Sequence, residues 1–173
     1  MLNVSIEVSR ADPARDSGDI ARLINICREE RRTVLNRFTP EEESAYLEAM
    51  GPREAVFVAK VDGKFAGFAG ISPRYSYSDR MRHCGEFGTW VMPEMRGKGV
   101  GSTLWREGVF LFCREAGFSH LGSSVMAHNR GSIAFYESLG FSICGYHRRL
   151  VEWDGELLDV VEIEMWVGDR HRS

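Results

Sequence analysis

Apolar residues recur along this chain with two periods, and the alternation between them lays out the elements. Val4, Ile6 and Val8 fall at every second position of "NVSIEVSR", which predicts a strand. Ile20, Leu23, Ile24 and Cys27 then recur at helical spacing, with Asp16 or Ser17 as the expected cap. "TPEEESAYLEAM" offers Thr39 as a cap, Pro40 at the first helical position, acids in the first turn and Gly51 as a stop. "AVFVAKVDGKFAGFAGIS" places Asp62-Gly63 between two apolar runs, the signature of a hairpin. "HCGEFGTWVM" reads as the next strand. A helix comes after it, with Leu104, Gly108, Leu111, Phe112 and Ala116 on one face and Gly117 as its end. "HLGSSVMA" is a strand, "NRGSIAFYESLGF" a short helix closed by Gly140, and "ICGYHRRLVEWDGELLDVVEIEMWV" a pair of strands around Asp154-Gly155. The predicted order is β-α-α-β-β-β-α-β-α-β-β: an α/β fold with a mixed sheet and helices on both faces.

Length and composition narrow the class. A chain of 173 residues, 43% hydrophobic and 27% charged, suits a single domain spanning residues 1–173 with a core of its own. No apolar run reaches the roughly 18 residues that span a bilayer, and the first 16 residues do not read as a leader. A net charge of −3 gives no bulk attraction to nucleic acid or to a membrane surface. Cysteines 27, 84, 113 and 144 have spacings that fit neither a zinc site nor a small disulfide framework. They read as reduced thiols of a cytoplasmic protein, and no bound metal is expected.

The stretch "WVMPEMRGKGVGSTLWREGVFLF" carries candidate chemistry. Gly97, Gly99 and Gly101 stand where a strand feeds a helix, whose first turn has unpaired N–H groups and the positive end of the dipole. Glycines let an anion approach those groups, and Arg96 and Lys98 add charge for further oxygens. The expected ligand is a phosphate or diphosphate. Lys98 is followed by Gly99, so the nucleoside triphosphate loop is excluded, and the G-x-G-x-G spacing does not match the dinucleotide fingerprint.

"EFGTWVMPEMRGKGVGSTL", with Val91 and Pro93 ahead of the basic turn, resembles the strand, pyrophosphate loop and helix of the GNAT superfamily of N-acetyltransferases. "NRGSIAFYESLGF" resembles that family's second signature, an asparagine (Asn129), a tyrosine seven residues later (Tyr136), then Leu-Gly-Phe. The resemblance covers about residues 84 to 141. It implies a single-domain fold whose two central strands splay apart, with acetyl-CoA as co-substrate in the gap. The pantetheine arm would follow the edge of Trp90, Val91 and Met92. The pyrophosphate would sit on Arg96, Gly97, Lys98, Gly99, Val100, Gly101 and Ser102, and Asn129 would touch the pantetheine arm.

The implied reaction is acetyl transfer to a primary amine by direct attack. A lysine-like amine with pKa ~10.4 is only about 0.1% neutral near pH 7.4, which is roughly 4 kcal/mol to free its lone pair. A carboxylate can take that proton, and Glu86, ten residues before Arg96, resembles the acidic position of many family members. Backbone N–H groups near Val91 or Met92 would stabilise the oxyanion. Tyr136 matches the tyrosine that gives a proton to the departing thiolate. The acceptor end is expected in residues 33–39, in 72–83 with Tyr75 and Tyr77, and in the last hairpin, whose acids are Glu152, Asp154, Glu156 and Asp159. A small-molecule amine such as an amino acid or polyamine is the first expectation. A protein N-terminus of the ribosomal-protein type and an aminoglycoside are alternatives, and a non-catalytic acyl-CoA-binding domain is the alternative of another class. The resemblance also implies a homodimer.

Overall fold

The strand Ala55–Val61 (β2) puts Ala55, Phe57 and Ala59 on one side and Val56 and Val58 on the other, and all five are buried. A strand buried on both faces needs helices on both. The computed structural model describes residues 5–168 and supplies them. Helices α1 (Pro13–Glu29) and α2 (Pro40–Ala49) bring Ile20, Leu23, Ile24 and Leu47 against Val56, Val58 and Phe68. On the other face, α3 (Val100–Leu104), α4 (Phe110–Ala116) and α5 (Arg130–Ser138) enclose Phe57, Ala69, Ile71 and Phe87. The remaining strands are β1 (Ile6–Arg10), β3 (Lys64–Pro73), β4 (Cys84–Val91), β5 (His120–Met126), β6 (Ser142–Trp153) and β7 (Glu156–Trp166). Val4, expected on the first strand, lies outside the described residues.

The seven strands lie in the order β1-β2-β3-β4-β5-β7-β6, antiparallel throughout except for β4 beside β5. That parallel pair is in register at only three positions, Cys84 with His120, Gly85 with Leu121 and Glu86 with Gly122. Beyond Glu86 the strands part, which is the expected splay. Both predicted hairpins form, with Asp62-Gly63 at φ 49° and 75° and Asp154-Gly155 at φ 49° and 83°. Positive φ at both central residues matches the right-handed twist of the flanking strands.

Two sequence expectations shift. The first helix starts a turn before Asp16 and Ser17, because the Asp12 side chain accepts from Arg15 N and Pro13 takes the first helical position. Asp16 instead lies buried inside the helix, paired with Arg15 at 2.9 Å and Lys60 at 3.4 Å. The second shift concerns the long helix at 100–116, where a wide π turn at Trp105–Val109 separates α3 from α4. The extra residue in that turn rotates α4 about the helix axis. Leu104, Gly108 and Phe112 are buried as expected, but Trp105 and Val109 join them and Leu111 stays 50% exposed. Thr39, as expected, caps α2 with a reciprocal bond to Glu42.

Candidate active site

Where β4 and β5 separate, Ser123 Oγ donates to the Phe87 carbonyl at 2.8 Å. That carbonyl therefore points into the gap. In a strand, successive residues direct their backbone groups to opposite edges, so Thr89 and Val91 also face the gap, while Glu86, Gly88, Trp90 and Met92 face β3. Met92 N–H is indeed taken by the Ala66 carbonyl at 2.9 Å, and the Met92 side chain is buried. This corrects Met92 as an edge or oxyanion donor, and alternation gives Trp90 to β3 in the same way. The donors that reach the opening are those of Thr89 and Val91. The Val91 carbonyl is held by Arg96 Nε at 3.2 Å.

Side chains alternate in the same register. Glu86 and Trp90 stand on the α1–α2 face. The Trp90 indole lies across Gly88, where a Cβ would come 2.1 Å from the ring, and stacks on Phe68 at 4.6 Å. On the opposite face Tyr136 projects from α5 into a ring cluster, 5.3 Å from Phe87 and 5.6 Å from Phe141. Burial pushes its phenol up to about 12, and Thr89 offsets this in part. The Thr89 hydroxyl in turn accepts from Trp105 Nε1 at 2.8 Å.

The glycine turn divides its labour. Gly97 and Gly99 sit at φ 73° and 84° with open space where a side chain would stand. Gly99 N-caps α3, leaving the N–H groups of Val100, Gly101 and Ser102 without helical partners. Gly101 serves packing: a Cβ there would meet the Phe135 ring at 2.9 Å. Val100 turns its side chain into the core, so only its backbone is available. Lys98 is exposed. Arg96, expected to add charge for phosphate oxygens, instead grips Glu30 at 2.5 and 3.0 Å and holds that carboxyl below its ordinary range. Its guanidinium ties the turn to α1 and is largely neutralised. Asn129, buried, caps α5 by accepting from Ser132 N at 3.3 Å and also accepts from Arg32 Nη1 at 3.3 Å.

A cavity of about 420 Å³ brings Glu86, Thr89, Trp90, Asn129 and Tyr136 onto one surface, within the range of small-ligand sites. Thr33, Val34, Leu35 and Phe38 complete its wall as expected. Asn25 on α1 fixes that segment through both backbone groups of Phe38, at 2.9 and 3.1 Å. From 72–83 only Ser72 takes part, and from the last hairpin Val160. Tyr75 and Tyr77 pack on each other, and Tyr77 is 80% exposed. Glu156 pairs with Arg31, Asp159 accepts from Tyr146 and Arg149, and Glu152 accepts from Gly155. These acids belong to the hairpin rather than to the cavity. Sequence reasoning missed Thr89, Ser123, Glu43 and Tyr46. Period-two alternation with Phe87 could have pointed to Thr89, but nothing local marks the other three.

Comparison with known proteins places these features. The acetyltransferase (GNAT) family profile matches residues 20–141. The L-amino acid N-acyltransferase MnaT of Escherichia coli is 25% identical over 115 residues, 66% of each chain. The structure of yncA from Salmonella typhimurium with its cofactor acetyl-CoA superposes with TM-score 0.87 at 22% identity, over 98% of both chains. A ribosomal-protein-alanine N-acetyltransferase from Brucella melitensis gives TM-score 0.82 at 26% identity, over 92% of this chain and 99% of that one.

Proposed function

The chain belongs to the acetyltransferase (GNAT) family and is an acetyl-CoA-dependent N-acetyltransferase; from that premise we propose that its acceptor is the primary amine of a small molecule, an amino acid or a polyamine. The observation that carries the reading is the fork. β4 and β5 pair over three positions only, and the cavity between their separated ends holds a carboxylate, Glu86, and a buried phenol, Tyr136. The likeness to an L-amino acid N-acyltransferase supports a small acceptor.

The residues present fit acetyl-CoA. Its diphosphate matches the open Gly97–Gly99 turn, the free N–H groups of 100–102 and the Lys98 ammonium. Its amide-bearing arm matches the edge of β4 that β5 leaves open, from Thr89 to Val91, beside Asn129. When bound, it supplies an acetyl group already activated as a thioester. Glu86 takes the proton of the amine, directly or through a water. N–H groups of Thr89 and Val91 receive the acyl oxygen. Tyr136 holds its proton at Oη at every pH below about 12 and offers it to the sulfur. Burial holds the proton on Tyr136 Oη more firmly than on an ordinary phenol. Tyr136 therefore acts chiefly as a hydrogen-bond donor to the leaving sulfur, not as a source of a free proton.

Two companion readings go with this one. Four free cysteines, three of them buried, support a cytoplasmic location. Ile143, Tyr146, Leu150 and Leu157, all exposed on β6 and β7, support a homodimer. The likeness to the Brucella enzyme favours a protein N-terminus as a second acceptor reading. The test is thiol release from acetyl-CoA across amino acids, polyamines, aminoglycosides and N-terminal peptides, with product masses measured. Release with small amines and a product heavier by one acetyl group is expected. Binding of acetyl-CoA without release across the whole panel would overturn the reading in favour of a non-catalytic acyl-CoA-binding domain.

A further inference from the structure

Glu43, in the first turn of α2, is only 4% exposed, yet it lines the cavity that holds Glu86 and Tyr136. Among the described residues no ion pair or side-chain hydrogen bond engages its carboxyl, and burial alone pushes its pKa up to about 7. The comparison with Asp16 is direct. Asp16 is 2% exposed, and Arg15, the Asp12 N–H and Lys60 all serve it. A buried acid with no such partners is costly unless something else supplies them.

Nothing on the cavity wall does. The other titratable or charged side chains lining it are Arg32, Tyr46, Glu86 and Tyr136, with Glu54 close enough to act on Tyr46. Arg32 spends its guanidinium on Glu30 at 3.3 Å and Asn129 at 3.3 Å. Tyr46, one turn along α2 from Glu43, is pushed up by burial and then by Glu54 and Glu43, so it sits in a negative field. Phe38, Phe68 and Trp90 supply aromatic walls to the same space, and ring faces attract cations. A carboxylate, a field of the same sign and aromatic walls together describe a receptor for a positively charged group.

Glu86 already faces the amine that reacts, from the strand beside the fork. Glu43 comes from a helix on the face opposite α5. We propose that Glu43 sets acceptor specificity by pairing with a positively charged group that the acceptor carries in addition to its reacting amine, so that diamines and basic amino acids are preferred over counterparts that lack this second charge. This rests on the transferase reading above and narrows it. Binding such a group expels the proton that Glu43 carries below about pH 7, so the preference rises with pH through that region.

Matched pairs test this: cadaverine against n-pentylamine, and L-lysine against L-norleucine. Within each pair the member with the second ammonium group should have at least tenfold higher kcat/KM in the wild type, and the ratio should rise from pH 6 to pH 8. Glu43→Gln, which keeps the shape and removes the charge, should cut the ratio tenfold or more, flatten its pH dependence and leave the kcat of the member without the second ammonium group within about twofold. Equal kcat/KM within the pairs in the wild type would overturn the role of Glu43 while leaving the transferase reading intact, and so would a preference that Glu43→Gln preserves. Calorimetry of cadaverine and n-pentylamine with the CoA-loaded protein reads the same pairing without turnover. Tighter binding of cadaverine, with proton release near pH 6.5, supports it; equal affinity for both overturns it. Failure of every amine to release thiol would count against the transferase reading alone, because the calorimetric arm still decides the role of Glu43.

Discussion

Ser123 Oγ lies 2.8 Å from the Phe87 carbonyl, one residue past the last parallel pair of β4 and β5. The hydroxyl takes up an acceptor that a continued ladder would have given to a backbone N–H. It satisfies the fork without closing it. Ser123→Ala should cost about 1 kcal/mol of stability, the worth of one such bond. It should raise the KM for acetyl-CoA several-fold with kcat little changed, because the fork is then free to close. Urea midpoints and steady-state kinetics check this; a variant unchanged in both would show that the bond does not shape the opening.

Tyr136→Phe removes one oxygen from a ring cluster and leaves its packing in place. In the proposed role, turnover should fall about ten- to a thousandfold with little change in acetyl-CoA affinity. Stopped-flow thiol release and equilibrium titration separate the two. Full activity of the phenylalanine variant would leave Tyr136 a packing residue among Phe87, Trp105 and Phe141.

Glu86→Gln should abolish or displace the acid limb of the kcat/KM profile, with a loss of about a hundredfold or more near neutrality. An acid limb that stays in place would belong to another group. Glu43 is the other carboxylate lining the cavity, and its value near 7 would place the limb about there.

Glu43 also leaves a mark on stability. Its folded pKa is raised from 4.5 to about 7. The stabilisation linked to its proton is fully present below about 4.5 and is lost as pH rises through about 7. The change is on the order of 3 kcal/mol over that window. Urea unfolding from pH 4.5 to 8 should show this slope in the wild type and not in Glu43→Gln. Parallel slopes would mean that the carboxyl is solvated after all.

The fold was legible because nearly every element announces itself locally. Two Asp-Gly turns, the Thr39–Glu42 cap and clean period-two runs need no tertiary information. The π turn at Trp105–Val109 was not legible, since an ideal helical period carries Leu111 to the buried face and only packing against Phe57 and Phe87 shows otherwise. Within the site, Glu86, Trp90, Asn129 and Tyr136 could be named because two signature stretches carry them. Arg96 was misread as a free cation because its partner, Glu30, is 66 residues away. Met92 was misread because a motif says nothing of which strand edge a residue's backbone faces. Glu43 escaped for a third reason: an acid in the first turn of a helix reads as ordinary dipole compensation, as it does for Glu41 and Glu42, which are exposed. Only burial separates it from them.

The most direct test of the whole account is a crystal structure of the protein with acetyl-CoA. The diphosphate should lie on the N–H groups of residues 97–102, the amide-bearing arm along Thr89 and Val91, and the sulfur within hydrogen-bonding distance of Tyr136 Oη. A diphosphate bound away from the glycine turn, or a β4–β5 gap closed with the cofactor lying elsewhere, would contradict it.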